Sequence, residues 1–183
     1  MHIAIIGDIF CDILASRLPQ LPQWGEDSLA PIQILPGGSA LNTTIHCAQY
    51  INFMHGSLEV VLHSAVGDDS QAVICCEALR SDGIRTNIVK RSDSRTGTCL
   101  VLSGNSDRAF ITDRGCINDM TLEWFDINDI FTIGTRHLHC AGFYNCGAMV
   151  PHWRSLLEMV WCPCPDPPNP TPTYMFYRPE KTI

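Results

Sequence analysis

Two hydrophobic periods alternate along the chain. His2 to Gly7 is a short apolar run and predicts a first buried strand. Ser39 to about Asn52 sets Leu41, Ile45 and Ala48 on one face and predicts a helix. Leu58 to Val66 is almost continuously apolar, as a strand covered on both faces must be. Asp68-Asp69-Ser70 supplies an N-cap for a second helix, with Ala72, Cys76 and Leu79 inward and an end before Gly83. His137 to Ala141 predicts a third core strand. Val150 to Val160 predicts a helix with Pro151 in its first turn and Trp153, Leu157 and Val160 aligned. Strand and helix in alternation indicate an α/β layered domain.

Four shorter segments are bounded by turn residues: Ser28 to Leu35, Ile84 to Lys90, Thr98 to Ser103 and Arg108 to Asp113. Gly104-Asn105-Ser106-Asp107 marks a hairpin between the last two. Together, within about 28–35 and 84–113, they predict a small antiparallel sheet beside the main domain. The pattern changes after Val160. Residues 161–183 begin with proline at nearly every second position, which blocks both helix and central strand, and this predicts a disordered tail behind a 1–160 domain. Valine codons begin with the bases that open most introns, so read-through at Val160 would produce such a break.

The chain has 183 residues, enough for one packed domain and a small appendage. A formal charge of −7 without a Lys/Arg run argues against nucleic acid or an anionic membrane as partner. The apolar run Ile3 to Ile6 is too short for a signal-peptide core, and the expected location is cytoplasmic. Ten cysteines scattered through apolar patterns read as buried thiols in a reducing compartment. No metal site is expected. Cys162-Pro163-Cys164 lacks zinc-hairpin spacing, and strand alternation sends His137 and His139 to the face opposite Leu138 and Cys140.

The candidate chemistry lies in Gly37-Gly38-Ser39-Ala40-Leu41-Asn42 and in Asp12, four residues after Asp8. Glycines let a hydroxyl-rich ligand approach the backbone. Asp12 can accept two hydroxyl protons, and the Asn42 amide can donate and accept. Asp12 could equally be a turn aspartate, Asn42 a surface helix residue, and Gly37 and Gly38 turn residues. Asp8 reads as structural, and Asp68 and Asp69 as a helix cap. Phe110, Asn118 and Asn145 are placed to line a pocket.

This ordered set resembles the ribokinase-like (PfkB) carbohydrate kinases. Gly7-Asp8 with Asp12, Pro36-Gly37-Gly38 with Asn42, Val66-Gly67-Asp68-Asp69, Thr96-Gly97 and Gly115-Cys116-Ile117-Asn118 follow that family's order from about Ile3 to Val160. The resemblance implies a Rossmann-like parallel sheet with flanking helices and a β lid over the sugar. It implies substrate contact by Asp12, Gly37, Gly38 and Asn42, ATP and Mg2+ as cofactors of the full-length enzyme, and a homodimer through the lid. Some members carry Asn near Phe10; phenylalanine there leaves the sugar open.

The family's second signature, Asp-Thr-x-Gly-Ala-Gly-Asp, is not found in this sequence, and Gly147-Ala148-Met149 has neither the second glycine nor the aspartate. The resemblance puts the catalytic base, the anion-stabilising amides and the ATP pocket there. A general base is worth roughly 10²–10⁴-fold and an anion-stabilising donor roughly 10²–10³-fold. The expectation is therefore a truncated kinase: the sugar- or nucleoside-binding part, with no catalytic residue and no cofactor bound by this chain. The alternative is a non-catalytic binding or subunit-pairing module. A dinucleotide-binding protein is disfavoured, because Gly7-Asp8-Ile9-Phe10 lacks the G-x-G-x-x-G loop.

Overall fold

The computed structural model describes residues 1–80, 83–105, 107–132 and 134–160. The proline-rich segment 161–183 lies outside the described residues.

Four strands form the core sheet in the order β5-β4-β1-β8, with every neighbouring pair parallel. They are β1 (His2–Ile6), β4 (Glu59–Gly67), β5 (Ile84–Arg91) and β8 (Thr135–Cys140). Against one face lie α1 (Ser39–Phe53) and α2 (Ser70–Ala78), and Ile5, Leu41, Val60, Leu62 and Cys75 share their core. The other face carries α3 (Cys116–Asp119), α4 (Ile127–Ile130) and α5 (Val150–Val160). Ile117, Ile130, Met149, Trp153 and Leu156 fill that layer. Strand alternation separates the two cores. His137 and His139 pair with Ile3 and Ile5, whereas Leu138 and Cys140 pack into the opposite layer. In α5 the second fully buried position is Leu156 rather than Leu157.

A second sheet forms the lid, in the order β3-β2-β6-β7. Its strands are β2 (Phe10–Leu18), β3 (Ile32–Gly37), β6 (Gly97–Gly104) and β7 (Arg108–Asp113). Four features differ from the sequence expectation. Ile84 to Lys90 belongs to the core sheet, as the parallel edge strand beside β4, and not to the lid. Ile84 and Ile88 pack toward α1 and α2 while Arg85 and Asn87 alternate with them, a pattern that a half-exposed lid strand also shows. Its place in the lid is taken by β2, so Asp12 lies within a nine-residue strand and not in a turn. The lid is also mixed: β2–β3 and β6–β7 are antiparallel, but the central pair β2–β6 is parallel. The segment expected at 28–35 pairs only over Ile32–Gly37.

The cysteines among the described residues are free thiols, and Cys11, Cys75, Cys116 and Cys146 are fully buried. Burial holds the Cys75, Cys116 and Cys140 thiols up at about 12. No helix among the described residues is long and apolar enough to cross a membrane.

Candidate functional site

The chain leaves β1 at Gly7 and turns through Asp8 and Ile9 into the lid strand β2. Asp8 is 1% exposed. Its Oδ1 accepts the Ala40 N–H at 3.0 Å, and its Oδ2 accepts the Asn145 amide at 2.8 Å. The carboxylate thus caps α1 and ties down the segment after β8. Gly142, at φ +67°, makes room for it, since a Cβ there would lie 2.5 Å from Oδ1. Asn145 is therefore committed to Asp8. Asn118 is exposed and bonds its neighbour Asp119 at 2.9 Å.

The glycine pair divides into two roles. Gly38, at φ +97°, is the residue before α1, and its missing Cβ would meet the Phe10 amide nitrogen at 2.8 Å and the Asp8 carbonyl oxygen at 2.7 Å. It lets the helix start close on the β1–β2 turn. Gly37 lies diagonally across from Asp12, which is opposite Leu35 on β3 and Cys99 on β6. The Asp12 carboxylate fills the space a Gly37 Cβ would take, with Cγ at 2.5 Å from that point.

Asp12 is half-buried and makes no hydrogen bond or ion pair among the described residues. Burial pushes its pKa up, and the nearby Asp8 charge adds to the rise. Asn42 sits in the first turn of α1, exposed, with its backbone N–H on the Gly38 carbonyl at 3.0 Å. Its side-chain amide has no partner among the described residues. One carboxylate and one amide, both unpartnered, thus flank the glycine pair. Phe10 is 4% exposed and lies with its ring on Gly97. Phe110 is on the Asp12 face of the lid, exposed, with the Arg108 guanidinium 5.4 Å from its ring centroid.

The sequence reading missed the link between Asp69 and Thr96. Asp69 caps α2 through the Ala72 N–H at 2.8 Å, as expected, but also receives the Thr96 N–H at 2.8 Å and hydroxyl at 2.6 Å. Burial alone would raise the Asp69 pKa; the Thr96 and Ala72 hydrogen bonds outweigh it and hold it below the usual carboxylate range. Only the short polar side chain of Thr96, next to a glycine at a strand start, hinted at it. Asp68 is exposed and pairs with Lys90 at 2.6 Å. A cleft of about 480 Å³ lies at the lid root, lined by Ser92, Asp93, Ser94, Arg95, Asp113 and Gly115, and does not include Asp12. No cluster of three or more His, Cys, Asp or Glu suited to a metal is present among the described residues.

Comparison with known proteins agrees with this fold. The chain is 30% identical over 127 residues to adenosine kinase of Dictyostelium discoideum, covering 68% of this chain and 36% of that protein. The fold matches ribokinase of Giardia lamblia with a TM-score of 0.60 at 18% identity, over 68% of this chain and 37% of the other. It also matches Arabidopsis thaliana ribokinase, solved with ribose and ATP, with a TM-score of 0.53 at 22% identity, over 63% and 36% of the two chains. The chain thus spans little more than a third of the length of these proteins. Residues 27–156, from the loop before β3 into α5, match the model of the pfkB family carbohydrate kinases, and the chain belongs to that family.

Proposed function

We propose that this chain is the substrate-binding part of an ATP-dependent carbohydrate kinase, and that Asp12, Gly37, Gly38 and Asn42 form the wall that holds a sugar or nucleoside. The observation that carries this reading is the Asp12 carboxylate. It is half-buried, pushed up in pKa and without a partner, although a buried polar group ordinarily finds one. A vicinal diol supplies the two donors such a carboxylate lacks, and Asn42 can donate to and accept from a third hydroxyl. Adenosine and ribose, named by the relatives, share a furanose diol, so both belong in the test.

The N-termini of α1 and α2 do not fit a nucleoside triphosphate with Mg2+. Helix N-termini are the ordinary phosphate cradles, but those of α1 and α2 are filled by the protein's own Asp8 and Asp69. No phosphoryl-transfer step is therefore derived from these residues, and the chain alone binds substrate without phosphorylating it. Pairing with a second copy through the lid belongs to the same reading. It is supported by Ile34 and Ile111, 55% and 62% exposed on the lid face opposite Asp12.

Calorimetric titration of ribose and adenosine into wild type, Asp12→Ala and Asn42→Ala tests the site. Each variant should lose about 1–3 kcal/mol of binding free energy. Equal affinity in all three proteins would overturn the assignment. An ATP-turnover assay with the same ligands should read no activity above background.

A further inference from the structure

We propose that Asp69 and Thr96 are positioning residues that latch the lid to the core and so fix the place of Asp12. The effect on binding rests on the sugar-site reading; the latch itself does not. Strands β6 and β7 form one hairpin that leaves the core at Arg95–Gly97 and returns at Arg114–Gly115. The two crossings lie side by side. The Cys116 N–H donates to the Arg95 carbonyl at 2.8 Å, and a Cβ on Gly115, at φ +50°, would lie 3.0 Å from the Gly97 nitrogen. Gly67, at the end of β4, is equally close: its Cβ would sit 2.5 Å from the Thr96 nitrogen.

Within this crossing a helix cap needs one acceptor, but Asp69 uses both oxygens. Oδ1 takes the Ala72 N–H and the Thr96 hydroxyl, and Oδ2 takes the Thr96 N–H. The Thr96 Oγ1 in turn accepts the Gly67 N–H at 3.0 Å. Thr96 is 1% exposed, so water does not compete for these bonds. One carboxylate and one hydroxyl therefore join the end of β4, the start of α2 and the root of the lid.

The connection reaches the candidate site in two steps. Gly97 pairs with Phe10 across β6 and β2, with the Phe10 ring lying on Gly97. Asp12 and its partner Cys99 stand two residues further along the same ladder, roughly 6.6 Å away at strand rise. A shift of the lid root therefore moves the Asp12 row relative to Asn42, which is fixed on α1.

Hydrogen exchange of the ligand-free 183-residue chain, read for β6–β7 against β1 and β4, tests the latch in Thr96→Val, Thr96→Ser and Asp69→Asn. Loss of a buried hydrogen bond should speed exchange in β6–β7 about tenfold in Thr96→Val and Asp69→Asn. The β1 and β4 rates should hold, and Thr96→Ser should behave as wild type. Ribose or adenosine affinity should weaken with the lid in the first two variants and recover in Thr96→Ser. Unchanged lid exchange, or acceleration shared equally by β1 and β4, would overturn the proposal. If Thr96→Val does not fold, Asp69→Asn decides, because its amide oxygen keeps the cap. A wild type that binds neither ligand would count against the sugar site alone, and the exchange rates would still decide the latch.

Discussion

The carboxylate of Asp12 stands where the Cβ of residue 37 would be if that residue were anything but glycine. The two are diagonal neighbours on antiparallel strands, since Asp12 faces Leu35 in the β2–β3 register. Gly37→Ala should therefore expel the carboxylate from its position without disturbing the hydrophobic core. Binding of ribose or adenosine should fall by about 1–3 kcal/mol, as for loss of the carboxylate itself. The double variant Gly37→Ala with Asp12→Ala should bind no worse than Asp12→Ala alone. Additive losses in calorimetry would show that Gly37 acts through something other than Asp12.

The same carboxylate should cost stability. Its pKa is raised by burial and by Asp8, so the folded state holds its proton more tightly than the unfolded state does. The charged form penalises folding above the raised pKa, and the penalty disappears as pH falls to the ordinary value of 3.8. Asp12→Asn should therefore melt higher than wild type at pH 7 and lose that advantage in acid, while binding ligand more weakly. A lower melting temperature at pH 7 would mean that Asp12 has a stabilising partner.

Much of this fold was legible because each core element has a single strong period. The apolar run before Gly67 has no solvent face, and Leu41 and Ala48 mark one side of α1. Strand β2 was not legible. Cys11, Ile13 and Ala15 are apolar, but the alternate row Phe10, Asp12, Leu14 and Ser16 mixes polar and apolar residues, so no clean period of two stands out. Strand β5 shows the converse ambiguity. A parallel edge strand and a half-exposed lid strand present the same alternation, and only the register with β4 separates them. Glycine and short polar residues are ordinary at a strand-to-helix junction, so Asp12, Gly37, Gly38 and Asn42 could be picked out only by their order and spacing. That Gly38 packs on the Asp8–Phe10 backbone while Gly37 accommodates Asp12 is a tertiary fact that spacing does not carry.

Asp8 holds the start of α1 through the Ala40 N–H and the segment after β8, 137 residues further along the chain from Asp8, through the Asn145 amide. Asp8→Ala should leave the buried Ala40 N–H and the part-buried Asn145 amide without their acceptor and destabilise the protein by about 2–3 kcal/mol. Asp8→Asn should cost less than Asp8→Ala, because its oxygen still accepts from Ala40 and its amide nitrogen can donate to a turned-over Asn145, but both bonds lose their charge. Adding Asn145→Asp returns a charge-assisted bond to the contact, so the swapped double variant should recover part of the loss in urea unfolding. A double variant no more stable than Asp8→Asn would remove Asn145 from the argument.

His63 should make the fold acid-sensitive. It lies in β4 with 0% exposure, its edge toward Phe125 at 6.0 Å between ring centroids and 89° between planes. The Asn87 amide is 3.3 Å from Nδ1; an amide nitrogen only donates, so Nδ1 accepts and the proton is on Nε2, which has no hydrogen-bond partner. Burial pushes the pKa from 6.5 down to about 4, against the pull of Asp129 and with help from Arg85 and His2. Between those two values the unfolded chain binds a proton that the folded chain refuses. Stability from this group is complete above pH 6.5 and declines as pH falls toward 4, by about 3 kcal/mol in all at 1.36 kcal/mol per pKa unit. His63→Leu removes the titrating group, so its unfolding free energy should drop less than that of wild type between pH 7 and pH 4.5. Urea unfolding at the two values measures the difference. Equal drops in the two proteins would show that His63 is protonated in the folded state and that another group sets the acid limit.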